Sequence, residues 1–215
     1  MRKLSNSAQY AKAYALAKTL MDKYPKVLIF AYYEAVMTAE DDINFSPKQV
    51  KLRYNLATKK FKRLLLRTRG VDPKLRHSLK NEYYWFSKQP HKQYLLGVQA
   101  QKHNLLRSGF YSQGVGAAQM AKNYGVAGKR RLALRWAKKS EQAWLKYFKI
   151  EPNWYNSYFF YAMSLAYQDK LKECDQALAK AAKIAKKPKN WLAVRKEKIA
   201  IMKVHVAMYG KTTSI

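Results

Sequence analysis

The chain has 215 residues and carries 43 Lys and Arg against 13 Asp and Glu, a formal net charge of +30. A hydrophobic content of 48%, with 17 Tyr, 8 Phe and 5 Trp, excludes a disordered basic tail, and only 8 Gly and 6 Pro argue against collagen-like, low-complexity or turn-dense all-β chains. One cysteine excludes an internal disulfide framework, and four scattered histidines add no zinc-site spacing.

Helices are predicted almost throughout, because apolar residues recur at spacings of three and four and almost no stretch alternates with period two. In chain order they cover residues 7–23, 27–39, 47–69, 72–88, 89–108, 112–124, 128–150, 153–168, 171–186 and 189–208. Pro47 opens the third helix and Gly70 closes it. Gly114-Val115-Gly116 is interpreted as a loop before a helix, and residues 125–128 as a turn. The predicted fold class is all-α.

The helices are expected to form one repeat domain over residues 1–209, followed by a flexible tail at 210–215. Turn prolines followed by Lys or Asn occur at Pro25, Pro73, Pro152 and Pro188. Their spacing fits a helical-hairpin repeat of about 35–48 residues. The predicted hairpins cover residues 6–40, 47–88, 90–124, 128–168 and 171–208. The alternative fold is a single irregular helical bundle.

One stretch has a recognisable order of bulky and small residues. Tyr158, Leu165 and Leu178 are bulky, and Ala162, Cys174 and Ala181 are small. With this order, residues 155–188 resemble a tetratricopeptide repeat, although Asp169 replaces the turn Gly and Lys186 the terminal Pro. Other units match poorly.

The resemblance implies a right-handed superhelix of antiparallel helical hairpins, a tetratricopeptide-like α-solenoid, whose inner surface binds a peptide or protein segment. The inner face of this unit would carry Asn156, Phe159, Met163 and Ala166. Alternatively, these residues contact only the next helix. The Lys and Asn pairing with which some relatives clamp a terminal carboxylate is absent there.

The positive charge is concentrated in the middle of the chain, where residues 51–100 contribute +11 and residues 101–150 contribute +10. On the helix at 128–150, six residues project within about 80° and form a stripe about 27 Å long. They are Arg131, Arg135, Lys138, Gln142, Lys146 and Lys149. The stripe could track phosphates or acidic side chains, or be a solvated face. The predicted polyanion-binding residues are Arg63, Arg67, Arg69, Arg130, Arg131, Arg135, Lys138 and Lys146.

Aromatic residues are interleaved with this charge. They are Tyr83, Tyr84 and Trp85, then Phe110 and Tyr111, then Trp154 and Tyr155. They could stack on unpaired bases, or they could fill the core between hairpins. Tyr83 and Tyr84 join Asn156, Phe159 and Met163 as the predicted partner-binding residues.

Catalytic patterns are nearly absent. The only acid clusters, Glu40-Asp41-Asp42 and Glu173 with Asp175, are interpreted as solvated. The segment 123–130 fails as a phosphate loop, because Asn123 and Arg130 replace required Gly and Ser or Thr residues. Cys174 is interpreted as a small packing residue. No enzyme, metal site, cofactor or small-molecule substrate is predicted.

The expected function is a non-enzymatic scaffold or adaptor that binds a protein partner through a concave aromatic face with a basic rim. The alternative is a nucleic-acid or ribonucleoprotein-associated protein that binds phosphates through residues 47–150. A third, weaker hypothesis is an anionic membrane surface. Cytoplasmic location is expected, because no apolar signal region follows the first residues and no run reaches the roughly 20 apolar residues of a span.

Overall fold

The described part of the chain is helical. The computed structural model describes residues 10–24, 26–39, 46–185 and 188–210, and within these ranges it has ten helices and no strand. This confirms the all-α prediction for these residues. The helices are α1 (Tyr10–Lys23), α2 (Leu28–Ala39), α3 (Pro47–Leu65), α4 (Pro73–Phe86), α5 (Pro90–Lys102), α6 (Leu106–Val126), α7 (Arg130–Phe148), α8 (Tyr155–Ala166), α9 (Leu171–Ala185) and α10 (Pro188–Tyr209). Pro25, the acid cluster at 40–42, Lys186 and the tail beyond 210 lie outside the described residues.

The helices form two compact units that divide between residues 89 and 90. The first unit contains α1 to α4, and the second contains α5 to α10. In the first unit each helix packs against the next, and α2 also contacts α4. The single repeat domain over 1–209 therefore stays a prediction.

Aromatic rings fill the core of the first unit. Phe61 of α3 stacks on Phe86 of α4 with ring centroids 5.6 Å apart, and Tyr54 meets the edge of Phe86 at 5.1 Å. Tyr32 of α2 meets Phe61 at 6.0 Å. These rings join α2, α3 and α4 around buried Leu79.

In the second unit, consecutive helices pack together and one further set closes across them. The helix α8 packs against α6, and α10 packs against both. Their apolar residues belong to one buried cluster with those of α9 and part of α7. The helices α6, α8 and α10 thus all contact one another.

Glycines explain the largest difference from the predicted helices. The predicted helix at 112–124 runs from Leu106 to Val126 and includes Gly109, Gly114, Gly116 and Gly125. Glycine in a helix interior costs up to about 1 kcal/mol, which is why the sequence favoured a loop there. Here the missing side chain permits close packing, because a Cβ atom added to Gly114 would lie 2.5 Å from a Trp144 ring atom.

Two helices end earlier than predicted. The helix expected to run to residue 108 ends at Lys102, and Asn104 has a left-handed φ of 58°. The helix expected to run to residue 69 ends at Leu65, where the Thr68 hydroxyl donates to the Leu65 carbonyl at 2.8 Å. Gly70, predicted to close that helix, has φ 73° in the turn that follows. Side chains that hydrogen-bond a nearby carbonyl compete with the helix ladder.

None of the described helices is both long enough and apolar enough to cross a membrane.

Candidate polyanion-binding surface

The helix α7 separates a buried face from a basic face. All six residues of the predicted stripe are exposed to solvent. Ala133, Ala137, Ser140, Trp144 and Tyr147 on the opposite face are buried. The structure therefore brings Arg131, Arg135, Lys138, Lys146 and Lys149 onto one open face, with Gln142 among them. We call this set of six residues the α7 stripe.

Packing against α6 and α8 holds α7 in place. The Ser140 hydroxyl donates to the Gly114 carbonyl at 2.8 Å and lies 2.7 Å from the Ser164 hydroxyl, which donates to it. All three residues are buried, so these bonds are shielded from water. Since α6 and α8 pack against α7, its opposite face is covered while the stripe face is open to a partner.

Counter-charge is scarce beside the stripe. Glu141, the single acid of α7, accepts from Lys170 Nζ at 2.8 and 3.0 Å and from Gln168 Nε2 at 2.8 Å. Among the described residues, no Asp or Glu oxygen lies within 4.0 Å of a stripe cation. The helix dipole adds positive partial charge at the end where Arg131 lies. The stripe therefore presents an unneutralised positive potential.

Arg130 lies apart from the stripe. Its guanidinium carbon sits 4.3 Å from the ring centroid of Tyr209 on α10, and the Tyr209 hydroxyl donates to the Tyr167 carbonyl at 3.0 Å. Burial raises the pKa of Tyr209 above its ordinary value of 10.0. Arg130, predicted to bind a polyanion, thus contributes to docking α10.

The other predicted cations belong to the first unit. Arg63 lies in the last turn of α3, and Arg67 and Arg69 follow it in the turns before α4; all three are exposed. Lys60 is different, because it pairs with buried Glu34 of α2 and also donates to the Thr38 hydroxyl at 2.8 Å. Arg63, Arg67 and Arg69 therefore form an exposed basic part of the first unit, whereas the α7 stripe belongs to the second.

The predicted partner-binding residues on α8 are mostly inside the protein. Phe159 is 9% exposed and Met163 is 2% exposed, and both belong to the cluster that contains Ile201 and Val204 of α10. Asn156 is half-buried. The face that the resemblance assigns to a peptide is therefore buried at Phe159 and Met163 within the second unit.

The predicted residues on α4 are more accessible. Tyr83 and Tyr84 are half-buried, with ring centroids 5.7 Å apart, and Tyr83 also packs against the first unit's core. They lie in the first unit, as do Arg63, Arg67 and Arg69.

A ring cluster that sequence reasoning missed borders the stripe. Trp136 of α7 meets Tyr94 of α5 with centroids 5.1 Å apart and His91 at 6.0 Å. Lys139 Nζ lies 4.5 Å from the Trp136 centroid and 5.3 Å from that of Tyr94. A signal was present, since Trp136 directly follows Arg135 and lies at the edge of the apolar face, where it packs against the core while staying partly exposed.

Two observations on the described ranges concern metal binding and thiol chemistry. No group of three His, Cys, Asp or Glu residues there could hold a metal ion. Cys174 is buried, and this burial raises the pKa of its thiol from 9.0 to about 12. The thiol is therefore protonated at neutral pH, when it is a poor nucleophile.

This thiol predicts an alkaline loss of stability. Because the folded pKa is raised, the stabilising effect is complete below pH 9 and is lost as the pH rises toward about 12. Over that range one such group lowers the unfolding free energy by about 1.4 kcal/mol per pH unit. Cys174→Ala is expected to remove this slope, measured by urea unfolding between about pH 9 and about pH 11.

Tyr147 also titrates in this alkaline range, and it is present in both proteins. Burial raises its pKa to about 12, so it adds its own slope above its ordinary value of 10.0 in both proteins. The difference between wild type and Cys174→Ala is therefore assigned to the thiol. An identical pH slope in the two proteins would contradict the prediction, whatever their absolute stabilities.

No family model, curated protein or solved structure matches this chain. Its function is therefore inferred from its own surface and packing.

Proposed function

We propose that the protein is a non-enzymatic helical scaffold that binds nucleic acid by its phosphates through the α7 stripe. The observation that carries this proposal is a row of five exposed cations along α7 and its C-cap residue Lys149, with no carboxylate of the described residues in ion-pair reach. A row of like charges destabilises the folded chain by self-repulsion, and a bound polyanion offsets it. Neutralised phosphates also release counterions, which favours binding.

A phosphate backbone fits this surface better than an acidic protein surface does. Protein interfaces have apolar, aromatic-rich centres and are depleted in Lys, whereas the middle of the stripe carries Lys138, Gln142 and Lys146. The aromatic face that the resemblance assigns to a protein partner is buried at Phe159 and Met163. With that face buried, a protein partner would have to bind the α7 stripe through an acidic surface. This is the hypothesis that competes with nucleic acid.

For the architecture we propose a tetratricopeptide-like array of helical hairpins in the second unit, with α8 and α9 as its best unit. Two observations support it. All six residues that match the family's bulky and small positions are buried in one cluster. Asp169, which stands at the family's turn Gly, has a left-handed φ of 64°, the conformation for which Gly is favoured. We further propose that these hairpins stack as a right-handed superhelix.

A salt series tests the nucleic-acid proposal. The probes are a single-stranded oligonucleotide of about 16 nucleotides, its duplex, and polyglutamate of similar charge, each labelled for fluorescence anisotropy. We expect nucleic-acid binding at about 150 mM salt, with log affinity falling by about 3.5 to 4.5 per decade of salt if five phosphates are contacted. No binding at that salt would overturn the proposal. Equal affinity for polyglutamate would favour an acidic protein instead.

A further inference from the structure

Along one edge of the α7 stripe, two lysine side chains lie over aromatic rings. Lys139 lies over Trp136 and Tyr94, and Lys146, one heptad later, lies 5.7 Å from the ring centroid of Phe110 on α6. The two lysines are about 10.5 Å apart along the helix axis. Trp136 and Phe110 are each partly exposed. Rings and cations therefore alternate along the same edge as the phosphate-binding row.

This arrangement disfavours a duplex reader. A recognition helix enters the major groove, which is about 12 Å wide, with much of its circumference free. The helix α7 is packed by α6 and α8, so part of its circumference is covered. It can lie against a backbone, but it cannot be inserted between two strands. In a duplex, moreover, the faces of the bases are covered by their neighbours.

An unpaired strand uses both parts of the surface. Its phosphates can follow the cations of the stripe while an unstacked base lies against an aromatic ring, as in other single-strand binding grooves. Lys139 covers Trp136 without any carboxylate in ion-pair reach among the described residues, so it can shift from the ring to a phosphate. His91 is exposed beside the same ring, with its own ring centroid 6.0 Å from that of Trp136.

We infer that the α7 stripe and the ring cluster of Trp136, Tyr94 and His91 together bind single-stranded nucleic acid, with a base stacked at Trp136. This inference rests on the proposed function and narrows its ligand class. It assigns Trp136 a binding role in addition to its packing against the core.

The test compares Trp136→Ala with Leu132→Ala, a variant one turn earlier at a residue that is 38% exposed. Binding of a single strand and of its duplex, each about 12 units long, is measured by anisotropy at about 150 mM salt. We expect the wild type to prefer the single strand. Trp136→Ala should lower single-strand affinity roughly tenfold or more while leaving duplex affinity within about twofold, since one stacked base contributes about 1–3 kcal/mol. Leu132→Ala should change neither affinity.

Trp136→Phe keeps a ring and supplies a second readout in case the alanine variant folds poorly. It should retain most of the single-strand affinity but lose most of the tryptophan fluorescence quenching that the single strand causes in the wild type. Quenching that persists in Trp136→Phe, or equal loss of single-strand and duplex affinity in a folded Trp136→Ala, would overturn the inference and leave phosphate binding intact. Failure of the wild type to bind either nucleic acid would instead overturn the proposed function.

Discussion

Reversing the charge at Arg131, Arg135 and Lys138 to Glu is expected to lower nucleic-acid affinity about a hundredfold at about 150 mM salt. Three of the five stripe cations are lost, and each replacement repels a phosphate. The salt dependence should weaken as well, by about two units in the slope of log affinity against log salt. Affinity is measured by anisotropy with the single strand and the duplex, and the fold by circular dichroism.

A matched control separates position from total charge. Lys92, Lys102 and Lys172 are also exposed and also belong to the second unit. Reversing these three produces the same change in formal net charge, but none of them lies on α7. We expect this control to lower affinity less than tenfold, through the long-range field alone. Equal losses in the two triple variants would contradict the choice of α7 as the binding surface.

Gly97→Ala is expected to destabilise the second unit by about 3 kcal/mol. A Cβ atom at this position would lie 2.5 Å from the Gly109 carbonyl oxygen and 2.7 Å from the Gln113 backbone nitrogen. Both contacts are backbone atoms, so α5 and α6 would have to separate. At an unpacked helix position the same change stabilises a protein by up to about 1 kcal/mol, so the sign of the effect is diagnostic. The measurement is urea unfolding followed by circular dichroism.

Gly125→Ala provides the comparison. Its added Cβ would meet Met208 Sδ at 2.8 Å and Val204 Cγ1 at 3.0 Å, which are side-chain atoms. Methionine adapts easily to a neighbour, so the expected cost is about 1 kcal/mol or less. Two results would contradict the prediction that the second unit depends on close backbone packing of α5 against α6 at Gly97. One is a Gly97→Ala variant as stable as the wild type, and the other is a larger loss of stability in Gly125→Ala.

Local periodicity predicted the stripe residue by residue, while long-range packing remained out of reach. The exposure of Arg131, Arg135 and Lys138 follows from the repeat of a single helix, which a sequence shows directly. Phe159 and Met163 have the same local pattern as surface-lining residues, but they are buried in a cluster that includes Ile201 and Val204 of α10, more than 35 residues later in the chain. No local spacing states where that helix folds back.

Glycine and tryptophan were the two residue types that local rules misjudged. Helix propensity treats Gly114 and Gly116 as interruptions, whereas each permits a close contact with a residue at least 22 positions away in sequence. Trp136 lies on the side of α7, and its neighbours Tyr94 and His91 come from α5. Its place in a site became visible only once α5 and α7 were brought together.

Gly116 also affects the position of the ring cluster, because it lies where α6 meets α5. A Cβ atom there would lie 2.6 Å from the backbone nitrogen of Tyr94, so the absence of a side chain lets α5 approach α6 closely. Tyr94 is the α5 residue whose ring touches Trp136. The bare helix surface at Gly116 therefore lets Tyr94 come close to α6, and the placement of the Tyr94 ring against Trp136 depends on a contact on the buried side of the protein.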